Sequence, residues 1–145
     1  MSTLFDQLRL GIQTDSAEKT QELARELGHL LPADTTLALH GNLGVGKTTF
    51  VQGLARGLGI AEPVTSPTFN IYSVHRSAQW NLVHLDAYRL ENARQADDLL
   101  LEDFLVTPWC LAIEWPEKIA GWIPPSALHF EFKITSDQRH TITLK

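Results

Sequence analysis

Residues Gly41 to Thr48 read Gly-Asn-Leu-Gly-Val-Gly-Lys-Thr, a complete G-x-x-x-x-G-K-T pattern. Glycines at these positions let the backbone bend so that successive N–H groups point at phosphate oxygens. Lys47 supplies a cation for the β- and γ-phosphates, and Thr48 supplies a hydroxyl for Mg²⁺. At average composition the four fixed positions coincide by chance in roughly a few per thousand chains of this length. The octapeptide therefore predicts that the chain binds a nucleoside triphosphate with Mg²⁺. Gly44, Val45, Gly46, Lys47, Thr48 and Thr49 are the residues that would touch it.

Phosphoryl chemistry also needs carboxylates to hold the metal and orient an attacking water. Two acids end apolar runs. Asp86 follows Leu82-Val83-His84-Leu85, and Glu114 follows Leu111-Ala112-Ile113. In an open α/β sheet the carboxyl ends of the strands face the ligand crevice, so both are Walker-B candidates. Thr65, Ser66 and Thr68 place three hydroxyls in a proline-punctuated loop. They read equally as a segment that senses the γ-phosphate or as a turn whose hydroxyls satisfy backbone groups. Arg89 could meet phosphate or a partner, or form an exposed ion pair. Trp115 neighbours Glu114 on an expected strand, so alternation sends it to the opposite face and into the core. The six histidines show no metal-ligand spacing.

The elements around these residues follow from periodicity. Thr36 to His40 reads as a short buried strand before the loop. Phe50, Val51, Leu54, Ala55 and Leu58 follow at helical spacing, with Gly57 and Gly59 ending the helix. Strand, loop and helix in that order put the phosphates at a helix N-terminus, where unpaired N–H groups and the dipole favour anions. Upstream, a capping-box variant over Asp15 to Glu18 opens a helix that Pro32 stops. Downstream, Phe69 to Val74 and Trp80 to Leu85 read as strands around a turn at His75 to Gln79. A helix is expected over 93–105, with Leu99, Leu100, Phe104 and Leu105 on its apolar edge. Strands follow over Leu111 to Trp115, Leu128 to Ile134 and Thr141 to Leu144. The last two form an antiparallel hairpin around Thr135 to Gln138. The fold class is α/β: a single P-loop NTPase-like domain over residues 1–145, its mixed central sheet flanked by helices, with a C-terminal antiparallel hairpin.

Composition narrows the function classes. The 145 residues are 43% hydrophobic, enough for one core but leaving little room for a substrate domain. That points to a substrate or regulator supplied by a partner. A formal net charge of −5 disfavours direct, strong binding to RNA or DNA. No apolar run is long enough for a membrane span, and the first residues lack the blocks of a signal peptide. A single cysteine, Cys110, cannot form an internal disulfide and sits in the apolar run Trp109 to Ile113, which reads as a buried small hydrophobe. Together these features predict a cytoplasmic protein.

Four blocks carry a more specific likeness: Gly41 to Phe50, Val64-Thr-Ser-Pro-Thr-Phe69, His84-Leu-Asp-Ala-Tyr-Arg-Leu90 and Ile113-Glu-Trp-Pro-Glu117. In order and spacing they resemble the bacterial TsaE (YjeE) family, the small ATPase of tRNA threonylcarbamoyladenosine biosynthesis, and the resemblance covers essentially the whole chain. It implies that Lys47 holds phosphate, that Thr48 and Glu114 ligate Mg²⁺, and that Asp86 is the acid required for turnover. It implies a functional role for Trp115 beyond packing. It also puts Ser66 and Thr68 in a switch-like loop, and the stretches at Ser16-Ala17 and Gln138-Arg139 beside the nucleotide base. Asn42 replaces the family's usual acid in the loop, and Ala93 and Gln95 stand where a proline-acid helix start is usual.

The resemblance further implies a role without group transfer. ATP hydrolysis would support turnover of the TsaB and TsaD proteins, which place threonylcarbamoyl on adenosine 37 of tRNAs reading codons that begin with adenine. The tRNA would be met only through that complex. Two alternatives stay open on the residues alone, a small-molecule kinase and a nucleotide-binding scaffold that does not hydrolyse. No Asn-Lys-x-Asp guanine-reading motif is present, which favours adenine.

Overall fold

A computed structural model describes residues 3–42, 44–67 and 70–145. Seven strands form one sheet, β1 (Ile12–Thr14), β2 (Thr35–His40), β3 (Tyr72–Arg76), β4 (Asn81–Asp86), β5 (Trp109–Glu114), β6 (Leu128–Ile134) and β7 (His140–Leu144). Their spatial order is β1-β7-β6-β2-β5-β4-β3. The four middle strands are parallel, with Leu37 opposite both Ala112 and Leu128, and Asp86 opposite Glu114. β3 closes one edge antiparallel to β4, and the hairpin β6–β7 with β1 closes the other. This is the mixed sheet and terminal hairpin read from the sequence.

The middle strands carry near-continuous apolar runs because both faces are covered. On one face Leu37, Leu39, Leu82, Cys110, Ala112 and Phe130 pack under α2 (Ala17–Leu30) and α3 (Lys47–Gly57). On the other, Val83, Leu85, Leu111 and Ile113 meet α4 (Ala93–Asp97) and two 3₁₀ segments, Leu101–Phe104 and Pro116–Trp122. Burying each such leucine contributes roughly 1.5–3 kcal/mol relative to exposure. Burial pushes the Cys110 thiol up to about 12, in keeping with its reading as a small hydrophobe.

α2 and α3 lie unusually close. A Cβ at Gly53 would sit 2.2 Å from the Gln21 carbonyl oxygen, and one at Gly57 2.3 Å from that of Arg25. Gly57 is the last residue of α3, as expected, yet what requires glycine there is the backbone of the neighbouring helix.

Several boundaries differ from the sequence reading. The N-cap of α2 is Ser16, whose side chain accepts from the Lys19 N–H, while Asp15 pairs with Lys19 at 3.0 Å. The helix expected over 93–105 is broken. Leu100 adopts φ +54 between α4 and the 3₁₀ turn, which leaves it 62% exposed and sends Leu101 into the core. Burial of Leu101 wins over helical continuity. The strand expected from Phe69 starts at Tyr72 instead; Phe69 lies outside the described residues. Its turn shifts to Ser77–Trp80, where the Ser77 hydroxyl accepts from the Trp80 N–H and donates to the Leu58 carbonyl. His75 stays in β3, bonded to Glu62 at 2.7 Å. Two elements were not expected. α1 (Leu4–Leu10) opens with a Thr3–Asp6 capping box and buries Leu4 and Leu8, and β1 pairs with β7. Among the described residues no helix is long and apolar enough to cross a membrane.

Candidate functional site

The phosphate loop leaves the carboxyl end of β2 and enters α3. Gly46 caps that helix at φ +98, a left-handed conformation that glycine adopts without the Cβ penalty. Lys47, the first helical residue, is only 4% exposed. Its Nζ donates to the Gly41 carbonyl at 2.5 Å and lies 3.9 Å from the centroid of the Trp115 ring. Burial lowers its pKa, opposed by the carboxylates of Glu114, Glu117 and Asp86.

Glu114 ends β5 and is 5% exposed. Its Oε2 accepts from Thr48 Oγ1 at 3.1 Å and from His84 Nε2 at 2.6 Å. Burial alone would raise its pKa. The bonds and charge from His84, the Thr48 hydroxyl and the Lys47 charge outweigh it, and the net direction is down. Asp86 stands opposite Glu114 in the parallel register and accepts from the Tyr88 N–H at 3.0 Å. The Thr48 hydroxyl and the Glu114 carboxylate are hard oxygen donors within hydrogen-bond distance of each other, a donor set that fits Mg²⁺.

These residues open on a cleft of about 460 Å³ lined by Gly44, Gly46, Lys47, Thr48, Thr49, Ser66, Asp86, Tyr88, Arg89, Glu114 and Trp115. The expected site residues from phosphate loop, strand ends and proline loop thus converge. Val45 is not among the residues lining the cleft: its side chain is buried in the core, its N–H donates to the Asn42 carbonyl and its own carbonyl faces His140 Nδ1. Thr68 lies outside the described residues.

Trp115 corrects the alternation argument. It sits just past the strand in left-handed conformation, φ +58, so the face rule of an extended chain stops at Glu114. The indole lines the cleft under Lys47 and 5.0 Å from the Tyr88 ring, while also packing against the second core.

Ala17, Gln138 and Arg139 are not among the residues lining that cleft. They form a separate flank. Ala17 opens α2, Gln138 takes φ +65 in the β6–β7 turn, and Arg139 pairs with Asp137 at 3.3 Å. Register puts Thr14 opposite His140, which draws these stretches together. The connection from this flank to the cleft was missed in the sequence. His140 Nδ1 lies 2.9 Å from the Val45 carbonyl, tying the last strand to the phosphate loop. Only the folded register brings residues so distant in the chain into contact, and no local pattern announces it. His84 was missed for the same reason.

Comparison with known proteins finds relatives in one family. Residues 14–142 match the family model described as TsaE, threonylcarbamoyl adenosine biosynthesis protein TsaE. A Treponema pallidum protein named tRNA threonylcarbamoyladenosine biosynthesis protein TsaE is 34% identical over 129 residues, covering 89% of this chain and 95% of that protein. The Bacillus subtilis protein of the same name is 34% identical, over 90% of this chain and 82% of its own length. The crystal structure of YdiB from the same organism superposes with a TM-score of 0.78 at 29% identity, covering 92% of this chain and 82% of that one.

Proposed function

The chain belongs to the TsaE family of tRNA threonylcarbamoyladenosine biosynthesis, and from that premise we propose that it is a Mg²⁺-dependent ATPase. In this reading ATP hydrolysis drives turnover of the TsaB–TsaD complex that modifies adenosine 37 of tRNAs reading codons that begin with adenine. The chain itself transfers no group, works in the cytoplasm, and meets tRNA only through that complex.

One observation carries the reading: Thr48 of the phosphate loop is hydrogen-bonded to Glu114 at a neighbouring strand end, with Asp86 in register beside it. Two carboxylates at the carboxyl edge suit hydrolysis, one to hold the metal and one to orient the attacking water. The backbone of Gly44 to Thr49 would cradle the phosphates. Lys47 would exchange the Gly41 carbonyl for a phosphate oxygen while staying against Trp115. Thr48 and Glu114 would hold Mg²⁺, which when bound supplies charge neutralisation at the β- and γ-phosphate oxygens. Asp86 would hold or accept a proton from the attacking water. Ser66 and Thr68 would read the γ-phosphate, and Ala17, Gln138 and Arg139 would flank the base.

The test is phosphate release from ATP by the chain alone and with TsaB and TsaD. Slow release alone and faster release with the pair is expected. A slowly hydrolysed ATP analogue should support at most one round of tRNA modification. Multiple rounds with the analogue would overturn the hydrolytic role and leave ATP as an assembly ligand.

A further inference from the structure

His84 sits in the middle of β4, fully buried. The strand's alternation puts it with Asp86 on the sheet face that carries α3. Register sets it opposite Ala112, whose single methyl leaves room for an imidazole to reach Glu114, two residues further along β5. The contact is 2.6 Å between Nε2 and Glu114 Oε2, the same oxygen that accepts from Thr48. An ionised carboxylate can only accept, so Nε2 carries the proton that is shared. The other ring nitrogen, Nδ1, is buried with no hydrogen-bond partner among the described residues. An unpaired buried polar atom is destabilising, and the surrounding face is otherwise filled by Leu82, Cys110 and Ala112. The ring thus makes one polar contact while its other nitrogen stays buried and unpaired among the described residues, and that contact is with Glu114.

We propose that His84 is a positioning residue of the nucleotide site: its Nε2–H fixes the Glu114 carboxylate in the orientation that meets Thr48. The inference rests on the reading of Glu114 as a Mg²⁺ ligand. Residues behind metal ligands commonly set affinity in this way, and their loss costs about 10–100-fold in metal binding.

The experiment is equilibrium binding of ATP with excess Mg²⁺ and with EDTA, the ratio of the two dissociation constants being the Mg²⁺-dependent gain. His84→Leu should lower that gain at least about tenfold while leaving binding in EDTA within about twofold. His84→Gln, whose amide N–H can occupy the place of Nε2, should restore most of it. His84→Asn, one methylene shorter, should not, and this polar pair carries the comparison where the leucine variant fails to fold. Equal gains for the Asn and Gln variants, or a loss of binding that is the same with and without Mg²⁺, overturn the inference. Glu114→Gln separates the two levels. If it abolishes the gain while His84→Leu keeps it, the positioning role fails and the ligand stands. If it keeps the gain, the ligand reading itself fails and takes the inference with it. A metal-free check is the long-range ¹H–¹⁵N spectrum of His84 in nucleotide-free protein, where protonated Nε2 is expected and a ring protonated only at Nδ1 would overturn the assignment.

Discussion

The inner end of the site and its outer flank are built differently. Inside, His84–Glu114 is fully buried and Lys47–Gly41 and Thr48–Glu114 are part-buried, and the two contacts to Glu114 join elements far apart in sequence. Outside, the charged side chains pair in exposed, local contacts, Asp15 with Lys19, Arg139 with Asp137 and Thr135 with Asp137, while His140 reaches back to the phosphate loop. Buried contacts are little screened and fix atoms in place, which suits stabilising charge as it develops. Exposed local pairs are screened by solvent and rearrange easily, which would suit contact with a flat base. Under the proposed function the division predicts a rigid phosphate end and an adaptable base end.

The largest effect that would test this division is at Lys47 and Asp86. Lys47→Ala and Asp86→Asn should each lower ATP turnover about 10²–10³-fold, measured by phosphate release under saturating ATP; a loss under tenfold for both would show the inner end is not the chemical one. Next is the seat of α3. Gly53→Ala overpacks the Gln21 carbonyl and should destabilise the fold by about 1–3 kcal/mol, read as a lower urea midpoint. No shift would mean the helices separate readily and the inner end is soft after all.

Acid should act on the same end. The folded pKa of Glu114 lies below its unfolded value of 4.5, so its stabilising contribution is present above pH 4.5 and is lost as pH falls through the folded value. Urea midpoints measured from pH 6 down to pH 3 should fall less steeply in Glu114→Gln than in the wild type; parallel curves would count against the buried cluster. The smallest effect is expected on the flank. Arg139→Ala should move stability by no more than about 0.5 kcal/mol and ATP affinity by less than about threefold. A tenfold loss of affinity would erase the distinction between the two ends.

The same division decides what the sequence could say. The phosphate loop was legible because the fixed positions of its pattern lie in one continuous stretch, Gly41 to Thr48. Asp86 and Glu114 were legible because a strand announces its own end. The partners that hold them were not. His84 and His140 matter through contacts set by register, and an isolated histidine in an apolar strand has the same pattern whether or not a carboxylate waits across the sheet. Trp115 was read only in part: alternation foresaw its packing on the face opposite Glu114, but it assumes an extended backbone and missed that the left-handed turn also brings the indole to the cleft. The break at Leu100 escaped because burial of Leu101 overrode a helical pattern. α1 and β1 are short, and beyond the Thr3–Asp6 capping box of α1 they are held by packing on β7, which no local pattern announces.

The strand order has a consequence for how the protein is made. β2 bears the phosphate loop, yet both of its neighbours, β5 and β6, are encoded far downstream. The tether from His140 to Val45 comes later still. On the ribosome the phosphate loop emerges early and waits, its strand unpaired, until most of the chain has followed. A nascent chain stopped before Leu128 lacks one side of that strand, so under the proposed function ATP retention would begin only once β6 has been made.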